Sequence, residues 1–141
     1  MITPRQALDR YGSPVHETAM VLWDVPDVMT RSAIPGRIYV NRDMRGPLAQ
    51  AIVNLIVRGC IDELKTWDGC FNIRPMRGSS QASLHSWGLA VDVNASWNAR
   101  GAPSTLSEEF VMCWKDAGFD WGGDWESRPD SMHFQLARLP S

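Results

Sequence analysis

The stretch 83–94, SLHSWGLAVDVN, constrains the fold more than any other part of the chain. Leu89, Ala90, Val91 and Val93 read as buried strand material, yet His85 stands before them and Asp92 among them. Gly88 argues against a helix. So does reach: on a helix, residues seven apart lie about 10.5 Å apart along the axis, too far to bring both side chains to one point. A loop that turns into a strand has no such limit. The stretch therefore predicts a bend at Gly88 and a strand over 89–94 that presents Asp92.

Other elements follow from local signals. Residues 3–12 read as a short helix capped by Thr3, with Pro4 in its first turn and Gly12 at its end. Residues 17–36 read as irregular, with prolines at 26 and 35, and 37–41 as a strand. Residues 46–59 give the clearest helix: Leu48, Ile52, Leu55 and Ile56 share a face, and Gly59 is the stop. Leu64 and Trp67 are expected in a second short helical piece, and 70–73 in a strand ending at Arg74-Pro75. A helix is expected over 104–118, with a Thr105–Glu108 capping box and Gly118 as its stop. The glycine pair makes 119–125 a loop, and the alternation over 132–137 gives a last strand. Helices first and strands in the second half predict an α+β domain with an antiparallel sheet. With 141 residues and no repeat or linker, one domain over 1–141 is expected.

Composition closes several doors. The formal net charge is −2 and no basic block exists, so nucleic acid is not an expected partner. No run approaches the ~18 apolar residues of a membrane span, so no membrane insertion is expected. The start, MITPRQALDRYG, lacks a basic region followed by an apolar one, which predicts synthesis in the cytoplasm without a signal peptide. Cys60, Cys70 and Cys113 form no CxxC pair, which predicts buried free thiols rather than a disulfide framework or a zinc knuckle.

Two of the three histidines lie near acids. His85 precedes Asp92 by seven residues, and Asp130 precedes His133 by three. Two histidines and one aspartate can make the protein side of a catalytic zinc site, with the fourth position open for water. Asp130 can then reach that water as general base and later general acid. Plainer readings stand beside this one. A histidine next to a strand is commonly an ordinary core or surface residue, Asp92 can cap a turn, and Asp130 after Pro129 can be a turn residue. His16 is expected at the surface, and Trp23, Trp67 and Trp114 in the core.

SLHSWGLAVD fits the pattern S-x-H-x-x-G-x-A-x-D through Ser83, His85, Gly88, Ala90 and Asp92. DSMHF supplies a second signature, an acid three residues before a histidine. Over residues 45–137 the chain resembles the VanY-type zinc peptidases, which comprise D,D-carboxypeptidases, D,D-dipeptidases and the L-alanyl-D-glutamate endopeptidases of phage endolysins. The resemblance implies a small antiparallel sheet that carries the zinc site, with helices packed on its back. It implies Zn2+ held by His85, Asp92 and His133, and Asp130 as the catalytic acid and base. An upstream arginine stabilises the oxyanion in that family; Arg74, in NIRP, is its counterpart, with Arg77 as the rival.

WGGDW, residues 121–125, resembles the segment before the second signature in endolysin-like members. Trp121 and Trp125 are therefore expected as cleft walls, and Ser83 as a hydroxyl that orders the ligand loop beside the substrate. Asp124 competes with Asp130 but lacks its three-residue spacing to His133. The implied activity is hydrolysis of the stem peptide of bacterial peptidoglycan. The expected enzyme is a monomeric L-alanyl-D-glutamate endopeptidase serving as a phage endolysin, which acts on the wall after release. The alternatives are a D-alanyl-D-alanine carboxypeptidase and a non-catalytic wall-binding phage structural module.

Overall fold

A computed structural model describes residues 1–76 and 79–141. Helix α1 (Pro4–Tyr11) starts at a reciprocal cap: the Thr3 hydroxyl accepts from the Gln6 amide, and the Gln6 side chain accepts from the Thr3 amide. A hairpin follows. Strand β1 (Met20–Asp24) pairs antiparallel with β2 (Arg37–Asn41). Residues 20–24, expected as irregular chain because Pro26 and Pro35 dominate that region, form this first strand. Both prolines fall in the long connection, and the residues ahead of them are free to pair.

Helix α2 (Arg45–Val57) buries Leu48, Ala51, Ile52 and Leu55, and the chain reverses at Gly59, where φ is +74°. Beyond it comes one 3-10 turn at Ile61–Glu63 and then β3 (Trp67–Gly69). The expected helical piece thus stops short of Leu64 and Trp67, and the strand expected at 70–73 lies three residues earlier. The cause is a distant side chain. Asn94 accepts from the amides of Lys65 and Thr66 and donates to the Glu63 carbonyl, drawing this segment alongside the next strand.

The remaining elements are β4 (Ala90–Val93), α3 (Glu108–Lys115), β5 (Phe119–Trp121) and β6 (His133–Leu136). Ser107 rather than Thr105 caps α3, accepting from the Phe110 amide, while Thr105 bonds to Asn98. Residues 119–121, expected in a loop, form an edge strand that ends where the glycines begin. The strands make an antiparallel sheet in the order β3-β4-β6-β5.

Strand alternation gives this sheet two different faces. Val91, Val93, Phe134 and Leu136 point into the core. There Trp114 of α3 stacks on Phe134 with centroids 4.6 Å apart, and Phe119 meets Trp114 edge-on at 5.2 Å. The three cysteines are buried and unpaired. The other face carries Ala90, Asp92, His133 and Gln135. The architecture is the expected α+β: a small antiparallel sheet backed by helix.

Gly88 closes the turn ahead of β4. Its φ is +66°, and an added Cβ would lie 2.8 Å from the Asn41 backbone nitrogen. Left-handed backbone and overpacking both penalise a side chain here, so Gly88→Ala should lose about 2–4 kcal/mol of stability. Urea unfolding of the metal-free variant tests this, and an unchanged midpoint would refute it.

Candidate active site

Asp92 and His133 are direct partners across β4 and β6, so their side chains rise from the same face. His85 comes from the 3-10 turn Leu84–Trp87 that precedes β4. The Ser83 hydroxyl caps that turn by accepting from the His85 amide at 3.3 Å, and Gly88 ends it. Two longer-range bonds hold the turn down. The Trp87 indole donates to the Gly12 carbonyl at 2.8 Å, and the Asn41 amide donates to the Trp87 carbonyl at 2.9 Å. This fixed turn sets the His85 ring over Asp92.

The three side chains meet closely. His85 Nε2 lies 3.1 Å from Asp92 Oδ2, and His133 Nδ1 lies 3.2 Å from Asp92 Oδ1. One donor atom from each residue falls within 4.8 Å of the others. Both rings are nearly closed to solvent, with side chains 3% and 7% exposed. Burial raises the Asp92 carboxyl, but whenever the His133 and His85 rings carry protons toward it they outweigh burial and hold it well below the usual carboxylate range.

The proton inventory of the two rings decides what this cluster suits. His85 Nδ1 lies 2.7 Å from the Cys70 carbonyl, which only accepts, so its proton sits there. His133 Nε2 lies 2.9 Å from the Gln135 side-chain oxygen and donates to it. In the neutral rings, His85 Nε2 and His133 Nδ1 are then bare lone pairs aimed at a carboxylate. The 3.1 Å approach of His85 Nε2 to Asp92 is close in distance but is not a hydrogen bond, and that buried nitrogen has no partner. Charging both rings instead would bury two cations beside one anion. Two lone pairs and a carboxylate converging on one point form a donor set that a single divalent cation satisfies, and imidazole with carboxylate suits zinc.

Gln135 fixes the tautomer and tilt of the His133 ring. Gln135→Leu is expected to weaken zinc binding by about 10–100-fold, readable by competition with a chromophoric chelator; wild-type affinity would count against this role.

Beside the cluster lies a cleft of about 700 Å3, lined among others by Arg74, Ser83, Arg100, Trp125, Asp130 and His133. The Asp130 amide donates to the Gly122 carbonyl at 2.9 Å, and its carbonyl accepts from the His133 amide at 3.1 Å. A Cβ at Gly122 would run into the Asp130 carbonyl, so the glycine lets the two segments touch. Asp130 Oδ1 is buried without a partner. Burial is the main cause of a raised Asp130 pKa, with the Asp92 charge adding to it; His133, Arg100 and His85 pull the other way without cancelling the rise. A half-buried acid with one buried, uncommitted oxygen is suited to exchanging a proton with something in the cleft.

Arg74 lies 3.8 Å from Asp92 Oδ2 through its guanidinium. Its backbone is locked to the His85 turn: the Ser86 hydroxyl bonds its amide and carbonyl, each at 3.1 Å, and the Ser83 amide donates to its carbonyl. The rival, Arg77, lies outside the described residues. Trp125 stands with its ring 5.2 Å from His133 and walls the cleft. Trp121 does not. It pairs with Phe134 in the β5–β6 register, so its ring falls on the core face, stacks on Phe134 and donates to the Ser131 carbonyl at 2.8 Å. Asp124 is held by Lys115 at 2.6 Å, and His16 is exposed.

Three contributors went unread in the sequence. Gln135 carried a usable signal, since it stands two residues after His133 on a strand and shares its face. Ser86 and the Cys70 carbonyl carried none, because their roles arise only when residues 70–74 fold back onto the His85 turn.

Residues 77–136 match the family described as D-alanyl-D-alanine carboxypeptidase. Among solved structures, the chain is similar to the L-Ala D-Glu endopeptidase ChiX of Serratia marcescens. The TM-score is 0.45 at 19% identity, over 69% of this chain and 80% of that one. No curated protein matches the sequence.

Proposed function

We propose that this chain, whose residues 77–136 match the family described as D-alanyl-D-alanine carboxypeptidase, is a zinc enzyme that hydrolyses the stem peptide of bacterial peptidoglycan. The observation that carries the reading is the meeting of two imidazole lone pairs with the Asp92 carboxylate, beside the unpartnered oxygen of Asp130. A metal peptidase needs those two parts together, a cation site and a nearby proton acceptor. Zinc at His85, Asp92 and His133 would supply Lewis acidity and a water acidic enough to attack near neutral pH.

The chain's own residues do the rest. Asp130 takes the proton from the attacking water and delivers it to the leaving amine. Arg74, anchored beside Asp92, offers donors to the carbonyl oxygen as negative charge grows there. Trp125 confines the substrate, and Ser83 keeps the His85 turn in shape.

The bond we assign is L-alanyl–D-glutamate, in an endolysin that reaches the wall from the host cytoplasm after release. The resemblance of residues 121–125 to the endolysin-like branch supports this. The matched family's description favours a second reading, cleavage of D-alanyl–D-alanine. A wall-binding module without turnover would have no use for the buried, uncommitted oxygen of Asp130. Digestion of purified muropeptides with the zinc-loaded protein separates these readings by product mass. A new amine on D-glutamate supports the first, free D-alanine supports the second, and no new amine at all overturns the enzyme reading.

A further inference from the structure

The cleft holds a second arginine that the proposed chemistry leaves unused. Arg100 sits in the loop after β4, and this loop is tied to the turn that carries Asp130. The Gly101 amide donates to the Pro129 carbonyl at 3.1 Å, with Gly101 at φ +82°, and the Ala102 amide donates to the Ala99 carbonyl at 2.9 Å. The two cleft arginines differ in what they face. Arg74 is engaged by Asp92. Arg100 is half-buried and makes no hydrogen bond or ion pair among the described residues, although its charge reaches Asp130. A guanidinium held in a concave site with its fork uncommitted is suited to a carboxylate, which it grips with two parallel bonds.

We infer that Arg100 binds the free α-carboxylate of the substrate residue whose amine is the leaving group. The inference rests on the reading of Asp130 as the acid that protonates that amine. The two candidate bonds share one chemical feature. In L-alanyl–D-glutamate, where the chain continues through the γ-carboxyl, the carbon bearing the leaving nitrogen also carries a free α-carboxylate. In terminal D-alanyl–D-alanine it does too. A group that recognises this carboxylate must stand near the one that protonates the nitrogen; the Gly101–Pro129 bond ties together the backbones that carry Arg100 and Asp130, and both residues line the same cleft. The site would then read the leaving residue by charge, and amidation of that carboxylate would make a poor substrate.

Paired substrates that differ only at this group test the inference: L-alanyl-γ-D-glutamyl-L-lysine against its α-carboxamide, and a D-alanyl-D-alanine peptide against its terminal amide. For the pair that zinc-loaded wild type cleaves, the acid should be preferred by about 10–100-fold in kcat/KM, the usual worth of a charged hydrogen bond. In Arg100→Gln that preference should fall to near one, mainly through KM for the acid, with zinc stoichiometry and Tm unchanged. Arg100→Lys, which keeps the charge and loses the fork, should retain part of it. Equal cleavage of acid and amide by wild type overturns the inference, as does an undiminished preference in Arg100→Gln, and either leaves the peptidase reading intact. Cleavage of neither pair by wild type overturns both.

Discussion

Asp130→Asn is expected to lower kcat by about 10²–10⁴-fold, the usual contribution of a positioned proton-transfer group, while the protein still binds one zinc. Asparagine matches aspartate in size, and the backbone bonds of Asp130 to Gly122 and His133 do not involve the side chain. The variant should therefore fold and load metal normally. What it loses is the ability to accept a proton. The sign of the pH dependence follows. Activity requires the carboxylate form, so the wild-type rate falls as pH drops through the Asp130 pKa, which burial raises. The residual rate of Asp130→Asn should lack that limb. A variant that turns over as fast as wild type would remove Asp130 from the chemistry.

Asp92→Ala should have the larger effect on metal binding. Among the described residues, Asp92 is the one carboxylate that faces both imidazoles, 3.1 Å from one and 3.2 Å from the other. Without it two neutral nitrogens remain, and they bring no charge to offset that of a divalent ion. Loss of an outer residue such as Gln135 costs about 10–100-fold in affinity, and loss of a direct ligand should exceed that, leaving the purified protein without stoichiometric zinc. Activity should fall below detection in the same samples. Equilibrium dialysis followed by metal analysis measures it, and one tightly held zinc in Asp92→Ala would show that the ion binds elsewhere.

Those two residues were legible in the sequence for different reasons from the elements that hold them. His85, Gly88 and Asp92 lie on one continuous segment, where spacing and backbone preference act locally, and the bend at Gly88 with a strand after it is what the chain forms. The alternation of 132–137 likewise gave the strand that carries His133. Long-range contacts were not legible. The segment around Lys65 is drawn onto β4 by Asn94, 29 residues away, which displaced β3 from its expected place. Trp121 is instructive: the glycine pair beside it suggested a loop, and only a strand register shows that it shares a face with Phe134 and not with His133. Arg100 could not be read at all, since its approach to Asp130 depends on a backbone bond between two loops.

The central claim is that a single divalent ion at His85, Asp92 and His133 makes this cleft a peptidase. Its most direct test is amine release from purified peptidoglycan by protein stripped with a chelator and then titrated with zinc. The stripped protein should release none, and the rate should rise linearly to a plateau at one zinc per chain. Full activity in the stripped protein, or a plateau reached only well beyond one equivalent, would contradict it.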